Sequence, residues 1–400
     1  MQSLNWYFYK VAGLSIVNAI RSPLGLRFFW RAHFVDHALQ CRARLLPNKK
    51  KGPGMTLQNR FKKLAALAAL IGLTLGVANI NLVHAEDVPQ EVRFAWAGGP
   101  RVWILGKIDK SFDKSFGAPV RWIPFATGAD VLSLFAAKEI DIARFGSSPA
   151  VAGIARKLPI EIISVPEVIA TSERLIGRKS KNINSIKDLE GKTVAYPPNS
   201  TAQYALELAI KINRLDKSKI RLVPLKPADQ VAAWKRGDID AAYVWGPFTQ
   251  QFEADGGHEI FVTKQLKKDG FLIYNNFVVR KEFAEKYPQL VVKFLRTYQE
   301  KVDQYKKDPD GSTQLIAKHL DIPFETARSV LTGLEYPSNT EQLTPAYLGN
   351  GATTPTSGIA KAAKDTANFL VEIGDLRKSD IPDSFAPAIN TTYLKQAVAK

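Results

Sequence analysis

The chain has 400 residues, of which 46% are hydrophobic and 23% are charged, so it can bury a large core in two or three domain-sized units. This composition excludes collagen-like, mucin-like and wholly disordered proteins. The formal net charge of +17 first suggests a nucleic acid or an anionic membrane as partner. Residues 1–85, however, hold 12 Lys and Arg side chains and a single acid, Asp36. The rest of the chain is only mildly basic, which argues against a nucleic-acid partner.

The segment 56–85 has the layout of a secretory signal peptide. A basic stretch at 60–63 precedes an uncharged, mostly apolar run at 64–78, and Val83-His84-Ala85 supplies the small residues of a cleavage site near Ala85. A membrane-spanning helix needs about 18–20 apolar residues, so this run is short for a span. We therefore expect export and a periplasmic mature protein. The alternative is that the segment stays attached as an N-terminal anchor.

Met55 stands just before this signal, where such a peptide should begin. We expect translation to start there, with residues 1–54 as an upstream extension and 55–85 as the signal peptide. The sole cysteine, Cys41, lies in the extension, so the exported protein can form no disulfide framework.

Beyond residue 86, short β-rich runs alternate with helical patterns, which predicts an α/β fold with parallel strands covered by helices. The predicted strands are 92–96, 120–124, 140–145, 160–165 and 193–196. The predicted helices are 129–138, 150–156, 203–212, 282–306, 312–319, 323–332 and 357–373.

An internal repeat supports two related lobes. The segment 129–143 aligns without gaps to 228–242, with five identities, and each copy reads as a helix, an acidic turn and a strand. Asp141 and Asp240 occupy the same place in the two copies. Two α/β lobes built on one unit are the simplest interpretation.

Two segments are candidates to cross between the lobes. These are 174–179, followed by a polar link, and 271–279. The prediction is therefore a first lobe made of 86–179 and 276–400, with C-terminal helices packing back on it, and a second lobe made of 180–275. Ligands of α/β folds bind outside the carboxyl ends of strands, so the cleft between the lobes is the expected site.

Two loops could receive an anion at a helix start. Gly146-Ser147-Ser148-Pro149 follows a strand and precedes a helix, with serine at the cap and proline in the first turn. Ser200 and Thr201 stand likewise before the helix that includes Gln203, and Ser200 and Gln203 have capping-box spacing. Free backbone N–H groups at such starts bind anionic oxygens. The alternative is ordinary helix capping.

Aromatic and acidic residues flank these loops. Trp96 and Trp245 end strands and Tyr204 begins a helix, so each could line the cleft or belong to the core. Glu173, near the first crossing, and Asp240 could receive an amine. The alternative for Glu173 is a hinge salt bridge, and for Asp240 it is capping the turn between helix and strand.

Five motifs of this chain resemble the substrate-binding proteins of taurine-type ABC importers, part of a wider family that binds sulfonates, nitrate and thiamine precursors. The motifs are GSSPAVAGIARKLPIEI (146–162), TSERLIGRK (171–179), DLEGKTVAYPPNSTAQYAL (188–206), AAWKRGDIDAAYVWGP (232–247) and NNFVVRKEFAEKYP (275–288). The resemblance implies a type II periplasmic-binding-protein fold, with two α/β lobes joined by a double-crossover hinge. It also implies a monomer that delivers its ligand to a membrane permease driven by an ATPase, with no cofactor and no metal.

The resemblance further implies that hydroxyl groups of the two loops hold a sulfonate, that aromatic rings pack on an ethyl chain and that acids receive an ammonium. In that order, these residues are Ser147, Ser148, Ser200 and Thr201; Tyr204 and Trp245, with Trp96 nearby; and Glu173 and Asp240.

The chain also departs from the taurine-type pattern. The loop after the first strand carries Arg101 where polar residues are usual, Gln203 replaces a frequent histidine, and Asn275 stands where aspartate is frequent. Arg101 and Arg174 would favour a more anionic or unaminated sulfonate. Nitrate and aminophosphonates are further candidate ligands.

Two other functions fit the same fold. An enzyme of the desulfinase kind needs a nucleophilic cysteine, and a thiamine-pyrimidine synthase needs placed histidines. Beyond residue 85 the chain has no cysteine, and its histidines are His258 and His319, neither beside a cleft motif. We therefore expect no enzyme. A periplasmic sensor module that binds a ligand and then a receptor is the other alternative.

Overall fold

The computed structural model describes residues 88–399, which belong to one compact unit. The predicted signal peptide, the cleavage site near Ala85 and the extension at 1–54 lie outside the described residues. The strands are β1 Val92–Ala97, β2 Val120–Phe125, β3 Ile142–Gly146, β4 Ile160–Ile169, β5 Glu173–Arg178, β6 Thr193–Tyr196, β7 Arg221–Pro224, β8 Ala241–Trp245, β9 Gly257–Val262, β10 Tyr274–Arg280 and β11 Leu334–Glu335.

Helices alternate with these strands and then dominate the C-terminal third. They are α1 Ile104–Ile108, α2 Ser111–Phe116, α3 Gly128–Ala136, α4 Ser147–Ala155, α5 Thr201–Ile212, α6 Pro227–Arg236, α7 Phe248–Ala254, α8 Lys281–Lys286, α9 Pro288–Lys307, α10 Pro309–Leu320, α11 Phe324–Thr332, α12 Asn339–Gln342, α13 Gly358–Glu372 and α14 Thr392–Val398. No helix between residues 88 and 399 is long and apolar enough to cross a membrane.

Two separate sheets confirm the α/β fold class and the two lobes. The first sheet has the order β11-β4-β10-β3-β1-β2 and the second has the order β7-β6-β8-β5-β9. β1 pairs in parallel with β2 and β3, and β6 pairs in parallel with β7 and β8. β10 returns from the second lobe and runs antiparallel between β3 and β4. The sheets are therefore mixed. In the first sheet β10 and the edge strand β11 are the antiparallel strands, and in the second sheet β5 runs antiparallel to both of its neighbours, β8 and β9.

The chain crosses between the sheets earlier than the sequence suggested. β4 ends at Ile169 in the first sheet and β5 begins at Glu173 in the second, so the connection is 170–172 and not the predicted crossing at 174–179, which belongs to β5 except for its last residue. The return connection lies between β9 and β10, and most of the predicted crossing at 271–279 is a strand of the first sheet. Sequence periodicity could not separate a strand in one sheet from a strand in the other.

The short connection is held by one carbonyl group. The backbone N–H groups of Ala170, Thr171 and Ser172 all donate to the carbonyl oxygen of Gly333, at 3.0–3.1 Å. The return connection is bonded to the same segment, since the N–H of Lys264 donates to the carbonyl of Ala170 at 2.9 Å. The two crossings therefore form one joint.

Aromatic packing fills the first lobe. The ring of Phe294 on α9 lies 4.7 Å from Phe277, 5.4 Å from Phe112 and 5.8 Å from Phe94, centroid to centroid. These rings are almost fully buried. Such contacts anchor the C-terminal helices on the first sheet, as predicted.

The internal repeat has the same structure in both lobes. The Asp141 carboxylate accepts a hydrogen bond from the backbone N–H of Arg93 at 2.9 Å, and Asp240 accepts one from the N–H of Thr193 at 2.9 Å. Each aspartate also donates its own N–H to the carbonyl of that same partner residue. Each acid thus ties the start of one strand to the start of its neighbour.

We expect unequal costs when these two aspartates are replaced. Asp141 also pairs with Arg93 and Arg280, both at 2.7 Å, and its side chain is 3% exposed, whereas Asp240 is 17% exposed. Asp141→Ala should lower the free energy of unfolding by about 3 kcal/mol because Arg93 and the largely buried Arg280 lose the carboxylate that they share, and Asp240→Ala by about 1 kcal/mol. Urea unfolding of both variants measures the difference. Equal losses would contradict it.

Candidate functional site

A small cavity lies between the lobes at the carboxyl ends of their strands. Its walls come from residues after β1, β2, β3, β6 and β8, together with the start of β5 and of β10. The cavity volume is about 50 Å³. One water needs roughly 10–15 Å³ on this measure, so the inner cavity, as we call it, has room for a group of a few non-hydrogen atoms.

Half of the predicted site residues line the inner cavity. They are Glu173, Ser200, Thr201, Trp245 and Asn275. Ser200 caps α5 by accepting the N–H of Gln203 at 3.1 Å, while the Gln203 side chain accepts the N–H of Asn199 at 2.8 Å. The capping interpretation of Ser200 is therefore confirmed, and the same residue also borders the cavity.

Ser147 and Ser148 lie in the first turn of α4, between two residues that line the cavity, Gly146 and Pro149. The cap of α4 is Gly146, and the helix begins at Ser147, so the predicted cap at Ser148, directly before Pro149, is wrong by two positions. Both serine hydroxyls are buried, and neither has a hydrogen-bond partner among the described residues. Buried polar groups are normally paired, so a bound group could complete them.

Two charged residues singled out from the sequence lie away from the inner cavity. Asp240 stands at the amino-terminal end of β8, the end opposite the cavity, which contradicts its predicted place in the cleft. Arg174 does not border the inner cavity, and its guanidinium pairs with Glu253 of α7 at 2.6 Å and Glu259 of β9 at 3.3 Å.

Two aromatic residues predicted for the cleft lie outside the inner cavity. The ring of Tyr204 packs on Phe369 of α13 at 4.6 Å and does not border the inner cavity. Trp96 packs on Trp103 at 5.3 Å and lines a second, wider groove of about 490 Å³ at the mouth of the cleft. Trp245 borders both spaces.

A buried charge network includes Arg101 and Asn275, which the sequence singled out, and Arg144 and Glu167, which it did not. Arg144 of β3 donates through Nε to Glu167 Oε2 at 2.8 Å, and its Nη2 contacts the same oxygen. Asn275 Nδ2 donates to that oxygen at 3.1 Å, and Arg101 Nε lies 3.8 Å from it. We call Arg101, Arg144, Glu167 and Asn275 the guanidinium cluster. The signal for it was a single arginine inside the otherwise apolar strand IARFG.

The guanidinium cluster carries excess positive charge toward the cavity. Arg101 and Arg144 are each 4% exposed and line the wall, while Glu167 is fully buried behind them. Burial, together with repulsion from Arg144, lowers the pKa of Arg101 to about 10, so it stays protonated at neutral pH. Two guanidinium groups sharing one carboxylate leave room for an anion.

Glu173 lies within the electrostatic reach of this cluster, on the second lobe. Its Oε1 accepts a hydrogen bond from the Thr201 hydroxyl at 2.6 Å, and its Oε2 has no partner within residues 88–399. Burial raises the pKa of Glu173 to about 7. A ligand with a positive or hydrogen-bond-donating group could use the free oxygen.

The lobes approach each other closely around the cavity. A Cβ atom on Gly146 of the first lobe would lie 2.7 Å from Thr201 Cγ2 of the second, and one on Gly99 would lie 3.2 Å from the carbonyl oxygen of Gly246. Contacts below about 3 Å are not tolerated without a shift. The structure therefore has its lobes closed, with glycine where they meet.

Comparison with known proteins agrees with this architecture. The family model described as NMT1/THI5 like matches residues 109–312. The chain belongs to this family. The taurine-binding periplasmic protein of Escherichia coli (strain K12) is 33% identical over 328 residues, covering 80% of this chain and 94% of that protein.

Solved structures confirm the periplasmic-binding-protein fold of this NMT1/THI5-like chain. The alkanesulfonate-binding protein from Xanthomonas axonopodis pv. citri, bound to MOPS, has a TM-score of 0.63 at 19% identity, covering 76% of this chain and 99% of its own. The periplasmic aliphatic sulphonate binding protein from Escherichia coli has a TM-score of 0.60 at 21% identity, covering 73% and 96%.

We expect Glu173→Gln to stabilise the protein in a pH-dependent way. The pKa of Glu173 rises from 4.5 to about 7 on folding, so the folded state holds a proton that the unfolded state has lost between these values. Wild-type stability should therefore fall as pH rises from 4.5 to 7, by about 3 kcal/mol in all, and then level off. Thermal unfolding of both proteins from pH 4.5 to 8 should show the variant gaining over this range. A difference in stability between the two proteins that does not change with pH would contradict the raised pKa of Glu173.

Proposed function

We propose that this protein is the extracytoplasmic binding protein of an ABC importer, which captures taurine or a related alkanesulfonate between its lobes and delivers it to a membrane permease coupled to an ATPase. The observation that carries the proposal is the pairing of the guanidinium cluster with the free Glu173 oxygen across one small cavity. A small ligand with an anionic head and an amine matches both ends. The 33% identity to a taurine-binding periplasmic protein supports the same assignment.

The sulfonate is assigned to the first lobe. There it meets the guanidinium groups of Arg101 and Arg144 and the amino-terminal turn of α4, whose hydroxyls at Ser147 and Ser148 are unpaired among the described residues. A helix start and charge-assisted donors both favour anionic oxygens. The ammonium is assigned to Glu173 on the second lobe, and Trp245 covers the carbon chain between them.

The free carboxylate favours an aminated ligand over nitrate. Nitrate would leave Glu173 Oε2 without a partner among the described residues and would add a second negative group to the cavity. An aminophosphonate would satisfy both ends of the cavity. Its phosphonate head, however, would place about one more negative charge beside the guanidinium groups than a sulfonate does. An unaminated alkanesulfonate fits best when Glu173 is protonated.

Binding without catalysis fits the residues of the site. The taurine-binding relative is a binding protein by name, and the histidines His258 and His319 lie outside the cavity walls. Among residues 88–399, no group of three or more His, Cys, Asp or Glu could hold a metal ion. A sensor module would use the same cavity, and it would differ in its docking partner.

Export through a signal peptide ending near Ala85 and action as a periplasmic monomer complete the proposal. Closure around the joint at 170–172 would bring the two halves of the site together. The ligand can shift this equilibrium only through contacts that are better in the closed form.

Calorimetric titration of the mature protein at pH 7.5 tests the function directly. Taurine, ethanesulfonate, 2-aminoethylphosphonate and nitrate are the probes. We expect taurine or another small sulfonate to bind at low micromolar concentration or tighter, roughly 8 kcal/mol or more of binding free energy. Binding of none of the sulfonates would refute the proposal.

Glu173→Gln separates aminated from unaminated ligands. Removing the carboxylate should weaken taurine binding by about 30-fold or more, because a buried charge pair is broken, and change ethanesulfonate binding by less than about threefold. In the wild type, taurine affinity should rise as pH increases through 7, when Glu173 ionises, whereas ethanesulfonate affinity should fall. Parallel losses for both ligands would remove Glu173 from the ammonium role.

Gly146→Ala tests whether closure is needed for binding. Its Cβ would collide with Thr201 Cγ2, so the closed form should become rarer and sulfonate affinity should fall about tenfold. Thr201→Ser removes that methyl group while keeping the hydroxyl that donates a hydrogen bond to Glu173. The double variant with Gly146→Ala and Thr201→Ser should therefore regain affinity. Gly98→Ala is the matched control, since a Cβ there would meet nothing within 4 Å. Loss without rescue would place the defect elsewhere.

A further inference from the structure

Glu167 lies behind the wall of the inner cavity, near the carboxyl-terminal end of β4. It is fully buried and is not among the residues that border the cavity. Its Oε2 accepts from Arg144 Nε at 2.8 Å and from Asn275 Nδ2 at 3.1 Å, and Arg101 Nε lies 3.8 Å away. One carboxylate oxygen therefore contacts three residues of the wall.

A negative charge in this place is unexpected for a site that takes an anion. By Coulomb's law alone, the carboxylate should repel a sulfonate and weaken binding. Its removal, however, would leave two buried guanidinium groups with no carboxylate within salt-bridge distance among the described residues. Arginine side chains are long and would turn away from their mutual repulsion, so the donors would leave the positions that a ligand needs.

Strand pairing explains how one oxygen reaches all three residues. Asn275 of β10 is paired with Glu167 of β4 on one side and with Gly146 of β3 on the other, and Arg144 lies two residues before Gly146. The wall is therefore built across three neighbouring strands. Arg101, from the loop after β1, has one hydrogen bond, from Nη1 to the carbonyl of Pro100 at 2.6 Å, and its Nε is unpaired within the described chain.

We infer that Glu167 is a positioning residue for ligand binding, which fixes Arg144, Asn275 and Arg101 in the cavity wall and thereby increases affinity for an anion in spite of its own charge. The inference rests on the proposed function, because it requires an anionic ligand in the inner cavity. It assigns no ligand contact to Glu167 itself. Its effect passes through Arg144 above all, the partner with two contacts.

Two substitutions separate position from charge. Glu167→Gln makes the site more positive, so a purely electrostatic role predicts tighter taurine binding, whereas a positioning role predicts a loss of about tenfold or more. Glu167→Asp keeps the charge but withdraws it by one methylene group. A positioning role predicts a loss here as well, and a field effect predicts little change. Glu161→Gln is the matched control, since Glu161 is a buried acid of the same strand that bonds Asn390 instead of the cavity wall.

A double-mutant cycle supplies the decisive readout. Taurine binding is measured by calorimetry for the wild type, Glu167→Gln, Arg144→Gln and the double variant. If Glu167 acts through Arg144, its substitution should cost less than about twofold once Arg144 is already replaced. Strictly additive losses, or unchanged or tighter binding by Glu167→Gln, would overturn the inference.

Failure of the inference can be told apart from failure of the proposed function. The wild-type titration reports the function, and the ratios between variants report the role of Glu167. A crystal structure of the better-folding Glu167→Asp protein gives a readout without any ligand. There the Arg144 guanidinium should leave the cavity wall, and an unmoved Arg144 would contradict the inference.

Discussion

Burying two guanidinium groups side by side is the constraint on which this site depends. Each would lose hydration on entering the protein, and together they would repel each other, so a shared counter-charge is required. Glu167 supplies it, and the strand order makes this possible. Because β10 returns from the second lobe and inserts between β3 and β4, it brings Asn275 beside both Gly146 and Glu167. The return of the chain is thus part of the binding site as well as of the fold.

The two lobes contribute opposite chemistry to one cavity. The first lobe presents positive charge and a helix start, and the second presents Glu173, whose carboxyl group is close to half protonated at neutral pH. Only when the lobes meet do the two ends face each other at the spacing of a small molecule. Small residues where the lobes meet, such as Gly146 against Thr201, allow this close approach. Under the proposed function, selectivity for the size and for the charge of the ligand both follow from the closed form.

Local patterns in the sequence predicted local structure well. The strand Thr193–Tyr196, the Ser200 cap of α5 and the repeated helix–acid–strand unit were all predicted, because hydrophobic period and capping residues are encoded within a few positions. The cap of α4 was not. The direction in which a side chain points was harder to predict. Tyr204 lies three residues beyond Thr201, which places it about 4.5 Å further along the axis of α5, and its ring packs on Phe369 instead of bordering the inner cavity. The guanidinium cluster joins residues 23 and 108 positions apart, and no local pattern reports such pairings.

The carbonyl of Gly333 receives three consecutive amides of the link between the lobes. A glycine is needed there, because a Cβ atom would lie 2.6 Å from the nitrogen of Ser172. A link of three residues pinned at a single point has few torsions left to rotate. The rotation of one lobe relative to the other is therefore limited to nearly one axis. Closing on a ligand then costs little conformational entropy of the lobes, so a larger part of the contact energy contributes to affinity.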